Sequence, residues 1–270
     1  MWEKVQQTVE YIKDKTNFTP EYGVILGSGL GSFTEDIDIQ FTLPYSEIPN
    51  FPVSTVEGHQ GALVFGRVGS KNVVAMQGRF HFYEGYDMKE VTFPVRVMKY
   101  LGVEKLVVSN ASGGVNHNYK VGSIVVLKDI INMMPEHPLR GKNDERFGPR
   151  FVNMSEPFSN KMIHKAKSIA KEIGIEVHDG VYLGLQGPTF ETLSEYRMVT
   201  KLGGDCVGMS TVPEVIVAKH MSLETFGISV ITDMGNEESI DTITHEEVLE
   251  AAKSAEPHVR KLIKELILQY

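Results

Sequence analysis

The sequence predicts an α/β fold, in which helices lie on both sides of a mixed, twisted central sheet in one three-layer domain spanning residues 1–270. Short apolar runs rich in β-branched residues lack polar alternation, as is typical of strands buried on both faces. These runs alternate along the chain with segments of helical periodicity. A length of 270 residues also suits one large α/β domain.

The individual elements follow from this alternation. Asp87 with Glu90, and Thr244 with Glu247, have the spacing of capping boxes at two of the helix starts. Pro94 is expected to kink the first of these two helices. We predict strands at 22–26, 73–76, 105–109, 123–127, 177–183, 205–207 and 226–232, and helices at 3–15, 88–100, 161–172, 192–202, 213–222 and 245–268.

Two segments, 40–57 and 133–157, are predicted to be irregular, and their length is typical of functional lids or subunit contacts. The net charge of −8 argues against a nucleic-acid-binding surface, so any anionic ligand needs a local site. Cys206 is the single cysteine, which excludes an intrachain disulfide and suits the reducing cytoplasm. The first residues lack the apolar core of a secretory signal, and no apolar run is long enough to span a membrane, so we expect no membrane partner.

Polar and small residues follow the predicted strands. In open α/β sheets, ligands bind beyond the carboxyl ends of the strands. The recurrence of such residues at six strand ends therefore predicts one composite site. The segments are GSGLG (27–31), GRFHFYEGY (78–86), NASGG (110–114), GPTFE (187–191), GMSTVPE (208–214) and TD (232–233).

The segment that follows the second predicted strand is the most informative. Alternation in an extended chain puts Arg79, His81 and Tyr83 on one side and the aromatic residues Phe80 and Phe82 on the other. A fixed cation, an imidazole and a phenol that point together suit an oxyanion beside a sugar. An edge strand with a polar face is an equally good interpretation of this segment alone.

The glycine-rich segment 27–31 does not fit a dinucleotide site, because its spacing is G-x-G-x-G and no ribose-binding acid follows. A backbone nest for a single phosphate, with the Ser28 hydroxyl, fits better, although a simple tight turn is equally consistent.

Further candidates lie in the later loops. Phe190 and Glu191 combine a stacking ring with an acceptor, which suits a heteroaromatic ring that has N–H donors. His245 lies at the positive end of the last helix, where a neutral imidazole that accepts from a hydroxyl is favoured. His59 is a loop imidazole, for which a surface role is the simpler interpretation. The sequence contains no recognisable metal-ligand motif, Walker A motif or nucleophile elbow.

Taken together, these segments resemble the trimeric purine nucleoside phosphorylases over nearly the whole chain, most specifically in GRFHFYEGY and VGMSTVPE (207–214). The resemblance implies that family's fold, a homotrimer and reversible phosphorolysis of purine nucleosides without metal or cofactor, inorganic phosphate being a co-substrate. It assigns phosphate to Ser28, His59, Arg79, His81, Ala111 and Ser210, ribose to Tyr83, Met209 and His245, and the base to Phe190, Glu191, Val207 and Asp233.

The resemblance also implies that Phe147 reaches the ribose site of a neighbouring subunit. His81, Glu84 and Asp233 are then the candidate catalytic residues, with Glu84 orienting Arg79 or His59. Bond cleavage passes through an oxocarbenium-like sugar, and positioning and electrostatics supply most of the rate.

Asp233 departs from the family pattern, in which 6-oxopurine enzymes usually have asparagine. An ionised aspartate cannot donate to a purine but can accept from an exocyclic amine, whereas Glu191 suits the N1–H of hypoxanthine or guanine. We therefore expect 6-oxopurines to be favoured, with a tolerance of 6-aminopurines through Asp233.

Three further functions are compatible with the sequence. Methylthioadenosine phosphorylases share the fold, although His245 suits a 5′-hydroxyl better than a methylthio group. A non-catalytic nucleoside-binding protein could retain the same fold, and a dinucleotide oxidoreductase is compatible with the fold class alone.

Overall fold

The computed structural model describes residues 1–53, 61–235 and 244–270. Within these ranges, nine strands form one mixed sheet, which confirms the predicted α/β fold with a mixed central sheet. The strands are β1 (Tyr22–Ile25), β2 (Asp38–Pro44), β3 (Ala62–Val68), β4 (Lys71–Gln77), β5 (Lys105–Gly114), β6 (Ile124–Asn132), β7 (His178–Gly184), β8 (Cys206–Gly208) and β9 (Glu224–Met234).

The helices of the described ranges match the predicted ones closely. Both predicted capping boxes form, with Asp87 accepting from Glu90 N–H and Thr244 accepting from Glu247 N–H. The helices are α1 (Trp2–Thr16), α2 (Met88–Val91), α3 (Phe93–Leu101), α4 (Asn160–Glu172), α5 (Leu193–Leu202), α6 (Val212–His220) and α7 (His245–Gln269).

The single helix predicted at 88–100 is wrong, because the chain forms two helices that meet at Thr92. Pro94 is the second residue of α3, where its missing N–H costs no helical hydrogen bond. The kink expected from this proline therefore becomes a helix boundary.

The prediction that 40–57 is irregular is also wrong in part. Residues 38–44 form the exposed edge strand β2, and a 3-10 turn, Tyr45–Glu47, follows. Polar residues such as Asp38 on an exposed edge hide the apolar pattern of a strand. β3 was missed because Gly66 and Arg67 interrupt its apolar run. Gly66 is required there, since a Cβ atom would lie 2.3 Å from the carbonyl oxygen of Asp38.

The sheet order is β2-β3-β4-β1-β5-β8-β7-β6-β9, and β9 also pairs with β5. Five strands, β5, β8, β7, β6 and β9, thus close into a ring at one end of the sheet. The strands β4, β1, β5 and β9 are parallel, so their carboxyl ends meet at one edge. β8 is antiparallel to β5 and brings its own following loop toward the same region.

The helices pack in two groups around the sheet. α1 contacts α3, which contacts α6, and α4 contacts α7, which packs on β9. The main core joins strand residues such as Val24, Val107 and Ile228, all without solvent exposure, to apolar helix residues such as Leu262. Within the described ranges, no helix is both long and apolar enough to cross a bilayer. The cytoplasmic location stays a prediction.

Candidate active site

One pocket lies at the carboxyl ends of the parallel strands. Ser28 follows β1, Arg79 follows β4, Ala111 lies in β5 and Asp233 lies in β9. The topology thus brings together side chains that are remote from one another in the sequence. The predicted site residues that line this pocket are Ser28, Arg79, His81, Tyr83, Ala111, Phe190, Glu191, Val207, Met209, Ser210, Asp233 and His245.

Arg79 lies at the deep end of the pocket and is 1% exposed. Its Nε and Nη2 atoms donate to the two carboxylate oxygens of Glu214, at 3.1 and 2.8 Å. Its Nη1 donates to the carbonyl of Ser109 at 2.6 Å and to the Ser210 hydroxyl at 3.3 Å. This two-pronged pairing fixes the plane of the guanidinium, so a buried cation is held in one orientation beside a hydroxyl.

Ser210 belongs to a network of buried hydroxyl groups. Its backbone N–H donates to the Tyr182 hydroxyl at 3.2 Å, and its Oγ lies 3.2 Å from Thr211 Oγ1. Asn110 donates to Thr211 Oγ1 at 2.8 Å. Thr211 is a β-branched residue at φ 64°, a conformation that costs energy and is typical of functional sites. The network fixes where the Ser210 hydroxyl can point.

His81 and Glu84 form the second part of this end of the pocket. Glu84 Oε1 accepts from the His81 backbone N–H at 2.8 Å and lies 3.1 Å from its Nδ1. Burial lowers the pKa of His81, and the nearby Arg79 cation lowers it further, against the effect of Glu84. In a neutral His81 with its hydrogen on Nδ1, facing the carboxylate, Nε2 is a hydrogen-bond acceptor. The ring stacks on Tyr83, with centroids 4.7 Å apart.

The opposite end of the pocket contains two carboxyl groups. Glu191 is buried, and burial together with the neighbouring Asp233 raises its pKa to about 7. Asp233 accepts from the Tyr196 hydroxyl at 2.8 Å and from the Thr232 hydroxyl at 3.0 Å. Burial raises the pKa of Asp233, and these two hydrogen bonds oppose that effect. A carboxyl pair of this kind can present both a donor and an acceptor.

Apolar and aromatic groups lie between the two ends. Gly187 is needed beside Met209, because a Cβ atom there would lie 2.3 Å from the Met209 sulfur. Tyr83 borders the same glycine, and burial raises its pKa to about 12, so its phenol stays protonated. Phe190 is 41% exposed, which leaves its ring available for stacking. The middle of the pocket therefore offers flat apolar contacts and hydroxyl donors.

Comparison with known proteins identifies the family. The sequence model of the protein family described as the phosphorylase superfamily matches residues 21–268 of this chain. The chain belongs to the phosphorylase superfamily.

Members of the phosphorylase superfamily resemble this chain over nearly its full length. Purine nucleoside phosphorylase 1 of Geobacillus stearothermophilus is 48% identical over 97% of this chain and 96% of its own. Purine nucleoside phosphorylase of Bos taurus is 49% identical over 98% of this chain and 94% of its own. The crystal structure of Schistosoma mansoni purine nucleoside phosphorylase in complex with adenosine has a TM-score of 0.94 and 40% identity, and covers 99% of this chain and 97% of its own.

In this superfamily member, Phe147 is part of the interior of its own chain. Phe147 is 5% exposed and packs edge-on against Trp2 and Tyr100 of its own chain, with the Arg96 guanidinium 5.8 Å from its ring centroid. Its ring therefore packs within its own chain, and its contact with a neighbouring subunit stays a prediction. Phe151, four residues later, is 88% exposed.

Glu84 and His59 are the two remaining residues that were predicted to act together. Glu84 does not hold Arg79, because Glu214 does so, and it contacts His81 instead. The predicted contact between Glu84 and His59, and the phosphate role of His59, lie outside the described residues, which omit 54–60. Among the described residues, no group of three or more His, Cys, Asp or Glu side chains could hold a metal ion.

Several residues that build this phosphorylase-superfamily site were not predicted from the sequence. Glu214 lies in the segment 208–214, and its signal is a carboxylate inside the otherwise apolar run VPEVIV, which implies a buried cation. Asn110 lies in the segment 110–114, of which only the backbone was expected to contribute. Tyr196 carried no signal, because a tyrosine on the inner face of a helix is an ordinary core residue.

Proposed function

We propose that this chain catalyses the reversible phosphorolysis of purine nucleosides, giving the free base and ribose 1-phosphate or its 2′-deoxy form. The observation that carries the proposal is a single pocket with Arg79 and hydroxyl groups at one end and the Glu191–Asp233 carboxyl pair at the other. The names of relatives more than 45% identical over nearly the whole chain support it.

In the proposed reaction, a phosphate oxygen attacks C1′ while the bond between C1′ and N9 breaks. The electron pair of that bond goes to the base, and the sugar passes through an oxocarbenium-like state. Arg79, Ser28, Ser210 and the backbone of Ala111 hold the phosphate. Neutral His81 accepts a hydrogen bond from a phosphate hydroxyl through Nε2, in the orientation that Glu84 fixes. Inorganic phosphate is the co-substrate, and the reaction needs no cofactor.

Tyr83, Met209 and His245 contact the ribose, and Phe190 and Val207 enclose the base. The negative charge that develops on the leaving base requires a donor near N7 or N1. A protonated Asp233 supplies it at N7, and a protonated Glu191 supplies it at N1. The site thereby favours 6-oxopurines when Glu191 is ionised and accepts 6-aminopurines when Asp233 is ionised.

The proposal includes a homotrimer in which one subunit completes the pocket of the next. Phe151 replaces Phe147 as the candidate for this contact, because its ring is exposed on the irregular segment 133–157. Aromatic side chains are common anchors at the centre of protein–protein interfaces.

The test is release of the base from inosine, guanosine, adenosine and methylthioadenosine, each with and without inorganic phosphate. Phosphate-dependent release from inosine and guanosine, with formation of the sugar 1-phosphate, is the expected result. Preference for methylthioadenosine would favour a methylthioadenosine phosphorylase. Saturable nucleoside binding without phosphate-dependent release would favour a binding protein and contradict the proposed reaction.

A further inference from the structure

Tyr196 lies on the helix α5, and its side chain extends to the end of the pocket that contains Glu191 and Asp233. Its ring is 2% exposed and packs with Leu183, Val199 and Val207 in a small apolar cluster. Only its hydroxyl is polar, and this group donates to Asp233 Oδ2 at 2.8 Å. The hydroxyl also contacts the side chain of Glu191. One buried phenol therefore lies between the two carboxyl groups that face the base.

Close backbone approach fixes this phenol in place. A Cβ atom on Gly235 would lie 2.3 Å from Tyr196 Cδ1, so the chain after β9 runs directly against the ring. A Cβ atom on Gly113 would lie 3.1 Å from the Tyr196 hydroxyl and 2.9 Å from Asp233 Oδ2. The ring has little room to turn, so the hydroxyl is held in contact with Asp233.

Asp233 is surrounded by hydroxyl donors. Thr232 donates to Oδ1 at 3.0 Å while Tyr196 donates to Oδ2, so each carboxyl oxygen accepts one hydrogen bond. Hydrogen bonds donated to a carboxyl favour its ionised form. The Tyr196 hydroxyl has one hydrogen, and this is directed to Asp233, so toward Glu191 its oxygen can act as an acceptor.

Glu191 is the partner that can keep a proton. Among the described residues, the titratable groups that act on it are Asp233, Glu195 and Tyr196, and none of these three is a cation. Two adjacent buried carboxyls do not both ionise readily. Burial and the charge of Asp233 raise the pKa of Glu191 to about 7. Near neutral pH, Glu191 is therefore partly protonated, and a proton on the pair is held mainly by Glu191.

We infer that Tyr196 is the positioning residue that allows this site to use 6-aminopurine nucleosides, because its hydroxyl holds Asp233 as an ionised acceptor and leaves the proton of the pair on Glu191. This inference rests on the proposed function. The resulting pattern, an acceptor at Asp233 and a donor at Glu191, matches the N6 amine and the N1 acceptor of adenine. It also removes the conflict between the two carboxyls, which point to different bases only if both are ionised.

The test is the substitution Tyr196→Phe, which removes one oxygen atom and keeps the packing of the ring. Without its donor, Asp233 competes better for the proton and becomes a donor suited to 6-oxopurines. We expect kcat/KM for adenosine to fall roughly tenfold relative to that for inosine, the size typical of a hydrogen bond to a charged group. The same substitution on an Asp233→Asn background should change this ratio less than about twofold, because no carboxylate remains to hold.

A matched control is Tyr119→Phe, which removes another buried hydroxyl that donates to a backbone carbonyl, that of Asp179, at 2.7 Å. It should leave the ratio of adenosine to inosine turnover unchanged. Equal losses for both nucleosides in Tyr196→Phe, or an equal effect of Tyr196→Phe on both Asp233 backgrounds, would overturn the inference and leave Tyr196 a packing residue.

A separate measurement distinguishes failure of this inference from failure of the proposed function. If the wild-type protein releases no base from either nucleoside, the proposed function is wrong. Carbon-13 titration of the carboxyl groups in the ligand-free protein still tests Tyr196, because it needs no turnover. Asp233 should bind its proton about tenfold more tightly in Tyr196→Phe. An unchanged titration of Asp233 would overturn the role of the hydroxyl.

Discussion

Arg79 and Glu214 form a buried, two-pronged ion pair, with side chains that are 1% and 4% exposed. The pair joins the segment after β4 to the first turn of α6 and holds the guanidinium beside Ser210. A buried cation of this kind is tolerable only with its partner, since an unpaired charge in the interior is very costly. Glu214 therefore supports the proposed anion site through Arg79, without lining the pocket itself.

Removing Glu214 should destabilise the protein strongly. We expect Glu214→Ala to lower the free energy of unfolding by about 3–5 kcal/mol, because it leaves Arg79 buried without a counter-ion. Urea denaturation measures this change. The control is Asp179→Asn, which breaks the half-exposed pair between Lys167 and Asp179 and should cost less than about 1 kcal/mol. Similar losses in both variants would contradict this account of Arg79.

Glu84 should act on phosphate through His81. In Glu84→Gln, the side chain can still accept from His81 but no longer has a negative charge to fix the ring tautomer. We expect the KM for phosphate to rise roughly tenfold, with little change in the KM for inosine. Initial rates with each substrate varied in turn provide the measurement. A rise confined to the nucleoside KM would argue against a role at the phosphate end.

Asp233→Asn should sharpen the preference for 6-oxopurines. An asparagine amide can donate to N7 and O6 of hypoxanthine at every pH, whereas it lacks the negative charge that attracts the N6 amine of adenine. We expect the ratio of kcat/KM for inosine to that for adenosine to rise roughly tenfold or more. If this ratio does not change, Asp233 does not discriminate between purines by the substituent at position 6.

The raised pKa of Glu191, about 7, predicts opposite pH profiles for the two nucleosides. As the pH rises through 7, Glu191 loses the proton that it donates to N1 of adenosine and gains the charge that accepts N1–H of inosine. We expect kcat/KM to fall for adenosine and to rise for inosine across this range. Glu191→Gln should remove both trends, and parallel profiles for the two nucleosides would contradict the assignment.

The raised pKa of Glu191 also makes the stability of the protein depend on pH. The pKa of Glu191 in the folded state lies above its ordinary value of 4.5, so between pH 4.5 and 7 the folded state binds more protons and stability falls as the pH rises. Above pH 7 the contribution levels off. We expect Glu191→Gln to be more stable than wild type by roughly 1–3 kcal/mol at about pH 8 and similar to it near pH 4.5. Thermal denaturation at both pH values checks this.

Phe151 and Phe147 should respond differently to truncation. Phe151→Ala removes an exposed ring, so we expect stability within about 0.5 kcal/mol of wild type but a roughly tenfold higher KM for nucleoside, if a neighbouring subunit uses it. Phe147→Ala removes a buried ring and should cost about 3–5 kcal/mol. Light scattering measures the assembly of each variant. A monomeric wild type would contradict the trimer, and an unchanged KM in Phe151→Ala would contradict the role of Phe151.

The sequence predicted the parts of the fold that depend on local patterns. The strand β9 contains a mostly apolar stretch at 226–232 and α7 begins at a capping box, and both were found close to their predicted bounds. The edge strand β2 was missed because nearly all of its residues contact water, which removes the apolar signal of a strand. The closure of β9 onto β5 joins segments that are remote in the sequence, and no local pattern encodes it.

In the candidate site, too, the residues with a local sequence pattern could be predicted, and those that depend on long-range contacts could not. Arg79, His81 and Tyr83 could be found because three polar side chains at alternate positions are unusual, and all three line the pocket. The extended chain expected for this segment is wrong at Tyr83, which lies in the 3-10 turn Phe82–Glu84. The partners that orient them could not be found in the same way. Glu214 is remote in sequence from Arg79. The hydroxyl of Tyr196 contacts Asp233 only because the fold brings α5 beside β9. Contacts of this kind depend on the tertiary fold rather than on residue type.

The position of β5 has a consequence for how the chain is made. This strand lies between β1 on one side and β8 and β9 on the other, and its partner β9 begins only at residue 224. A ribosome must therefore synthesise most of the chain before this apolar strand can be covered, and such long-range pairing is slow to form. Until the last part of the chain emerges, the nascent protein exposes one unpaired edge of this apolar strand, and this interval is when it is most prone to aggregate.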